Sequence, residues 1–241
     1  MKAVLTFHAV DHVRSPLSYS PNAFRVLLET LLDTGTPILT LDDLLDPATP
    51  HGVTLTFDDG LASVHDAALP ILKAFDAPAH MFLPTAYVGQ DNAWPGQPES
   101  APRYATMTWD QIEALHDGGV RIESHTHRHP DLRPLSAPQI IEEMETADQI
   151  ITERLGRRPR YFAYPYGLHD AAVRQEAGRR YRASFTTQLA YLGDEDDPSQ
   201  LPRLDSHYLR LPWLLRRLNH GLARDYIGLR HLIRQVRNCS Q

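Results

Sequence analysis

The chain has 241 residues, 42% of them hydrophobic, with a formal net charge of −6 and a pI near 6.1. That length allows one large domain with a substantial core, and the acidic balance argues against nucleic acid as a partner. A single cysteine, Cys239, excludes an internal disulfide, and no apolar run is long enough to cross a membrane.

Residues 1–8 are apolar over too short a stretch for a signal peptide, which makes the cytoplasm the expected compartment. Residues 2–9 read as a strand that carries His8 at its end. Ser20-Pro21 opens a helix, with proline at the first helical position, and Gly35 closes it. Residues 37–40 read as a short strand, 41–46 as a helical turn and 53–57 as a strand. A helix kinked at Pro70 follows over 63–75, then a strand over 79–83. Residues 85–106, rich in proline and carrying Trp94, form the longest irregular stretch, which points to a lid or binding loop. Thr108 and Ser136 each begin a capping box, and the two helices end near Gly118 and Gly156. Between them residues 120–124 form a strand. Residues 160–164 and 182–186 are further strands, with a helix over 169–178 between them. This alternation predicts βα units around a parallel sheet, an α/β barrel.

The candidate chemistry sits at strand ends. Asp58 and Asp59 end the 53–57 strand in Thr56-Phe57-Asp58-Asp59-Gly60, and two adjacent carboxylates at such a place call for a positive partner, most simply a metal ion. His125-Thr126-His127-Arg128-His129 follows the 120–124 strand and offers imidazole ligands at close spacing. One carboxylate and two histidines leave a coordination position open, and the second carboxylate is free to accept a proton from water. Either motif alone has a bland reading, a turn or a surface accident. Both at strand ends of one α/β chain favour a site, because barrels place their chemistry there.

These motifs resemble the polysaccharide deacetylase family, the carbohydrate esterases with a NodB homology domain, over residues 1–205. Thr56-Phe57-Asp58-Asp59-Gly60 corresponds to its first motif and His125-Thr126-His127-Arg128-His129 to its second, a His-Ser/Thr-x-x-His pattern. The resemblance implies a distorted (β/α) barrel, Asp58 as general base, and Asp59, His125 and His129 as metal ligands. Thr126 then lies behind the ligands, and His127 is a structural or hydrogen-bonding neighbour. The third motif is partly kept: Ala163-Tyr164-Pro165-Tyr166-Gly167 has alanine where the family often has arginine. The backbone N–H of Tyr166 takes the place of the oxyanion donor, and Arg203 is the candidate for the missing positive charge. The sequence Phe162-Ala163-Tyr164-Pro165-Tyr166-Gly167 resembles the exopolysaccharide branch, in which the acid histidine moves to the first strand, where His8 stands. Leu229-Arg230-His231 matches the late Leu-x-His motif in letters, but it lies in an arginine-rich helical stretch.

The activity so implied is hydrolysis of N-acetyl groups from an N-acetylhexosamine polysaccharide or a lipid-linked precursor. Tyr164, Pro165 and Trp94 are expected to meet the sugar. Zinc suits the ligand set best, with cobalt, nickel or iron able to fill it. Two rivals stand beside this reading: a hydrolase of the same fold acting on another C–N or O-acyl bond, and a glycan-binding protein with a dead site. Alanine at position 163 keeps the first open, and the intact Asp58, Asp59, His125 and His129 argue against the second. Residues 206–241 read as a basic helical extension packing on the barrel. Residues 201–241 hold eight arginines against Asp205 and Asp225, a balance of +6 that leaves −12 for the rest. Such a segment can also lie on an anionic membrane.

Overall fold

The computed structural model describes residues 1–97 and 101–238; Pro98 and Cys239 lie outside the described residues. β1 (Lys2–Phe7) is followed by two short strands, β2 (Ala9–Val10) and β3 (Ser18–Tyr19), which pair with each other. Then come β4 (Gly52–Asp58), β5 (Ala79–Leu83), β6 (Val120–Ser124), β7 (Tyr161–Ala163), β8 (Ala183–Leu189) and β9 (Leu201–Asp205). The strands form a closed barrel in the order β1-β4-β5-β6-β7-β8-β9, every pairing parallel, and β9 closes on β1 with Leu5 opposite Leu204. All C-terminal strand ends therefore face the same mouth, which is how residues far apart in sequence are gathered.

Helices fill the crossovers: α1 (Pro21–Asp33), α2 (Leu41–Leu44), α3 (Leu69–Ala74), α4 (Trp109–Asp117), α5 (Ala137–Leu155) and α6 (Ala171–Arg180). Ser20 caps α1 by accepting the Ala23 N–H, and capping boxes at Thr108 and Ser136 open α4 and α5. These local signals specify the helix starts because each satisfies an amide that the first turn leaves unpaired. Phe7, Tyr19, Phe24 and Phe57 meet at ring separations of 5.2–5.8 Å and tie β1 and β4 to α1. Val4, Phe82, Tyr161, Phe185 and Leu201 form a second cluster, joined by Leu41 and Leu44 of α2.

The structure departs from the sequence reading in three places. Residues 62–74 are helical without a break, as read, but the distortion ahead of Pro70 is a π-helical turn (Val64–Ala68) running into α3, rather than a simple kink at the proline. Residues 37–40 hold a single bridge, Ile38 to Val53, rather than a strand. Residues 201–205 form β9, which the proline in Leu201-Pro202-Arg203 obscures in the sequence. After β9 the chain continues through α7 (Pro212–Leu215) and α8 (Gly221–Asn238), and Leu214, Leu215, Leu218, Ala223 and Ile227 are buried in the largest apolar cluster. Among the described residues no helix is long and apolar enough to cross a membrane.

Candidate active site

β4 ends on Asp58, and the next residue, Asp59, turns the chain with a φ of 75°. A left-handed aspartate is strained, and such strain persists where the surroundings hold it in place. Gly60 follows at a φ of 66°, and a Cβ there would stand 2.6 Å from Leu83, so the turn that brings both carboxylates into the mouth requires glycine. Asp58 and Asp59 are 3% and 7% exposed, so neither charge is balanced by water.

Arg203 balances the first. It reaches from β9 and donates from Nη1 to Asp58 Oδ1 at 2.8 Å and from Nη2 to Oδ2 at 2.7 Å. Its Nε donates to the Thr186 carbonyl at 3.0 Å, and its guanidinium lies 5.6 Å from the centre of the Phe82 ring. Burial pushes the Asp58 carboxyl up, but the charge and hydrogen bonds of Arg203 outweigh it and hold the group below its ordinary value.

Asp59 faces two histidines. His125 Nε2 and His129 Nε2 lie 3.6 and 3.5 Å from Asp59 Oδ1 and 3.2 Å from each other. His125 donates its Nδ1 proton to the Ala163 carbonyl at the end of β7, 2.7 Å away, which leaves the Nε2 lone pair facing Asp59. Burial, then the neighbouring His125, lowers the His129 pKa to about 3, so that ring is neutral and able to act as a ligand. Burial works against the Asp59 carboxylate, yet the imidazoles of His125, His8 and His129 around it hold it ionised, well below the usual range. One carboxylate oxygen and two imidazole nitrogens thus converge with all ligand atoms within 4.8 Å of one another. That donor set fits a divalent metal.

The loop between the histidines is held from two sides. Thr126, at a φ of 67°, accepts the His129 N–H on its hydroxyl at 2.9 Å. Glu143 of α5, itself buried, accepts the His127 and Arg128 N–H groups on Oε2 at 3.1 and 2.8 Å. His127 turns away from the ligand set and bonds the Thr85 hydroxyl through Nδ1 at 2.9 Å.

Residues 46–180, which include both motifs, match the polysaccharide deacetylase family. The chain belongs to that family. A chitin deacetylase of Colletotrichum lindemuthianum is 31% identical over 144 residues, 60% of this chain and 51% of that protein. A poly-β-1,6-N-acetyl-D-glucosamine N-deacetylase of Staphylococcus aureus is 26% identical over 207 residues, covering 78% of this chain and 67% of that one. The chain therefore spans about half the length of the fungal relative and two thirds of the staphylococcal one. The structure of the Streptococcus pyogenes deacetylase PplD in complex with acetate superposes with a TM-score of 0.73 at 27% identity, covering 84% of this chain and 91% of that one.

The other candidate residues are placed as follows. His8, just past β1, is half-buried and near enough for its charge to act on Asp58, Asp59 and His129. Tyr166 sits in a left-handed turn at a φ of 58°, with its ring edge-on to His129 at 4.7 Å. The three residues expected to meet the sugar are placed differently. Tyr164 is 1% exposed, packed in the core edge-on to Phe162 and tilted against His169, and its hydroxyl donates to the Ser199 carbonyl. Pro165 is buried beside it. Trp94 is 2% exposed and packs 4.5 Å from the His129 ring, so it walls the ligand instead of presenting a face to a ligand outside. Glu143, Thr186 and Phe82 support the site with no motif to announce them.

Proposed function

We propose that this chain hydrolyses the N-acetyl group of an N-acetylhexosamine residue in a polysaccharide or a lipid-linked glycan precursor, releasing acetate. The observation that carries this reading is the pairing of one clamped, ionised carboxylate, Asp58, with an adjacent Asp59–His125–His129 ligand set. Family membership supports the same reading.

Asp59, His125 and His129 would hold the metal, most suitably zinc, which supplies a Lewis acid for the acetyl carbonyl and for water. Asp58 removes a proton from the attacking water. Each of its oxygens already accepts one N–H from Arg203 and keeps a second lone pair for that proton. Arg203 keeps the carboxylate ionised and fixes its plane, so little reorganisation is needed at the moment of reaction. Water oxygen bonds to the carbonyl carbon, and the N–H of Tyr166 stabilises the charge that develops on the carbonyl oxygen. The C–N bond then breaks as His8 gives a proton to the leaving nitrogen, leaving acetate and a free amino sugar. All of these residues fall within 1–205, the part we assign as the catalytic unit.

The test is acetate release from β-1,4- and β-1,6-linked N-acetylglucosamine oligomers, with Asp58→Asn beside the wild type. Release by the wild type and its loss in the variant is the expected result. Acetate formed equally by both would remove Asp58 as the base, and none formed from any N-acetylated glycan would overturn the activity.

A further inference from the structure

α8 carries apolar residues on two separate faces. Ala223 and Ile227 are buried and pack toward the barrel, where the helix meets β8. Away from that buried face, Leu222, Leu229, Leu232 and Ile233 are 67%, 57%, 58% and 42% exposed. Leu222, Tyr226, Leu229 and Ile233 recur at helical spacing and form one stripe. Trp213 of α7 extends it: the indole is 39% exposed and meets the Tyr226 ring edge-on at 5.4 Å. A helix that only covers a barrel turns its polar residues to water. Here three arginines of α8 lie instead against the body of the protein: Arg224 over Tyr191, Arg230 over Tyr208, and Arg234 4.0 Å from Asp205.

Charge separates the two occupants that such a face can take. Residues 201–241 carry +6 while the remainder of the chain is acidic, and Arg216 and Arg217 are exposed next to Trp213. A second copy would bring the same basic surface against itself, whereas an anionic surface complements it. Leucine and tryptophan flanked by arginine is the composition that settles at a lipid headgroup boundary. We infer that α7 and α8 dock the protein on an anionic lipid surface, with Trp213, Leu222, Leu229 and Ile233 entering it and Arg216 and Arg217 meeting lipid phosphates. Arg234 ties the far part of α8 to Asp205, two residues past the Arg203 that grips Asp58, so the docked face adjoins the catalytic end of the barrel. The inference does not depend on which acyl bond the site cleaves.

The experiment is co-sedimentation of the full chain with phosphatidylcholine vesicles carrying about a third phosphatidylglycerol. The wild type should pellet with these vesicles, much less with phosphatidylcholine alone, and should be released by salt. Leu229→Ser with Ile233→Ser should lower the bound fraction roughly tenfold. Arg216→Glu with Arg217→Glu, which leaves the apolar stripe untouched, should release the protein as well, and matching thermal transitions would show that both variants are folded. A wild type that stays in the supernatant with the anionic vesicles, or a serine variant that pellets as well as the wild type, overturns the inference. So does a dimer in light scattering that the serine variant splits, which would make the face a homotypic interface.

Discussion

Arg203 holds both oxygens of Asp58, at 2.8 and 2.7 Å, across 145 residues of sequence. The pair is 2% and 5% exposed at its side chains, so each charge depends on the other rather than on solvent. Ala163 of β7 stands where the family resemblance places an arginine, and the guanidinium that reaches Asp58 comes instead from β9, two strands along the barrel.

Arg203→Ala should therefore be costly in stability as well as in rate. Breaking a buried pair from one side strands a charge, and the expected loss is about 3–5 kcal/mol in denaturant unfolding. Replacing both partners, as in Arg203→Met with Asp58→Asn, should cost less than the sum of the single changes, because neither charge is then left alone. Strict additivity in that cycle would show that the two residues do not act as a pair. Arg203→Lys should not restore the rate, since an ammonium cannot match both oxygens in one plane.

Glu143 predicts a different kind of loss. Its carboxylate takes two amide protons in the loop that carries His125 and His129 and touches neither ring. Glu143→Ala should weaken zinc affinity by roughly 10–100-fold, the range seen when supporting groups behind metal ligands are removed. Glu143→Gln keeps an acceptor oxygen and should recover most of it. The readout is metal content after dialysis against graded chelator; equal zinc retention by the alanine variant would remove Glu143 from the site's support.

The ligand set itself gives a sharper expectation. His129→Ala removes one of three donor atoms and should drop bound divalent metal from near one equivalent to a small fraction. Folding should change little, because Trp94 and Tyr166 can close over the space. Metal analysis with a far-UV spectrum checks both halves. Metal retained in full by the variant would mean that it sits elsewhere.

How much of this was legible in the sequence follows from distance along the chain. Asp58-Asp59-Gly60 and His125–His129 are local runs at the ends of apolar strands, so their residue types and spacing are visible without a fold. The alternation of strands and capped helices likewise revealed the barrel, since Ser20, Thr108 and Ser136 act within one turn of themselves. Arg203 could be named only as a candidate, because its reach to Asp58 depends on β9 closing against β1, and Pro202 hides that strand. Glu143 sits mid-helix among other acidic residues and carries no sequence signal of its inward bonds. Trp94 and Tyr164 read as sugar platforms by type, yet burial, which a single sequence does not report, makes them packing for His129 and the core.

Asp148 offers a pH test away from the ligands. It lies on α5, 5% exposed, and accepts the Tyr181 hydroxyl proton at 2.9 Å while Tyr181 also bonds Ser124. Burial raises its pKa to about 6, against the opposing pull of the Tyr181 and Ser124 hydrogen bonds and of Arg158 and Arg180. Its folded value lies above its unfolded one, so the fold keeps this proton after the unfolded chain has lost it. The stability that the protonated form contributes is full below the ordinary carboxylate range and is lost as pH rises through about 6. The penalty at neutral pH is about 2–3 kcal/mol by that shift. Asp148→Asn stays neutral, can still accept from Tyr181, and replaces Oδ2, which has no hydrogen-bond partner among the described residues. The variant should match the wild type near pH 4 and exceed it in unfolding free energy by pH 8, in a difference that opens between about pH 4 and pH 7. Unfolding curves of the two proteins that stay parallel across that range would show that Asp148 ionises in the fold at its ordinary value.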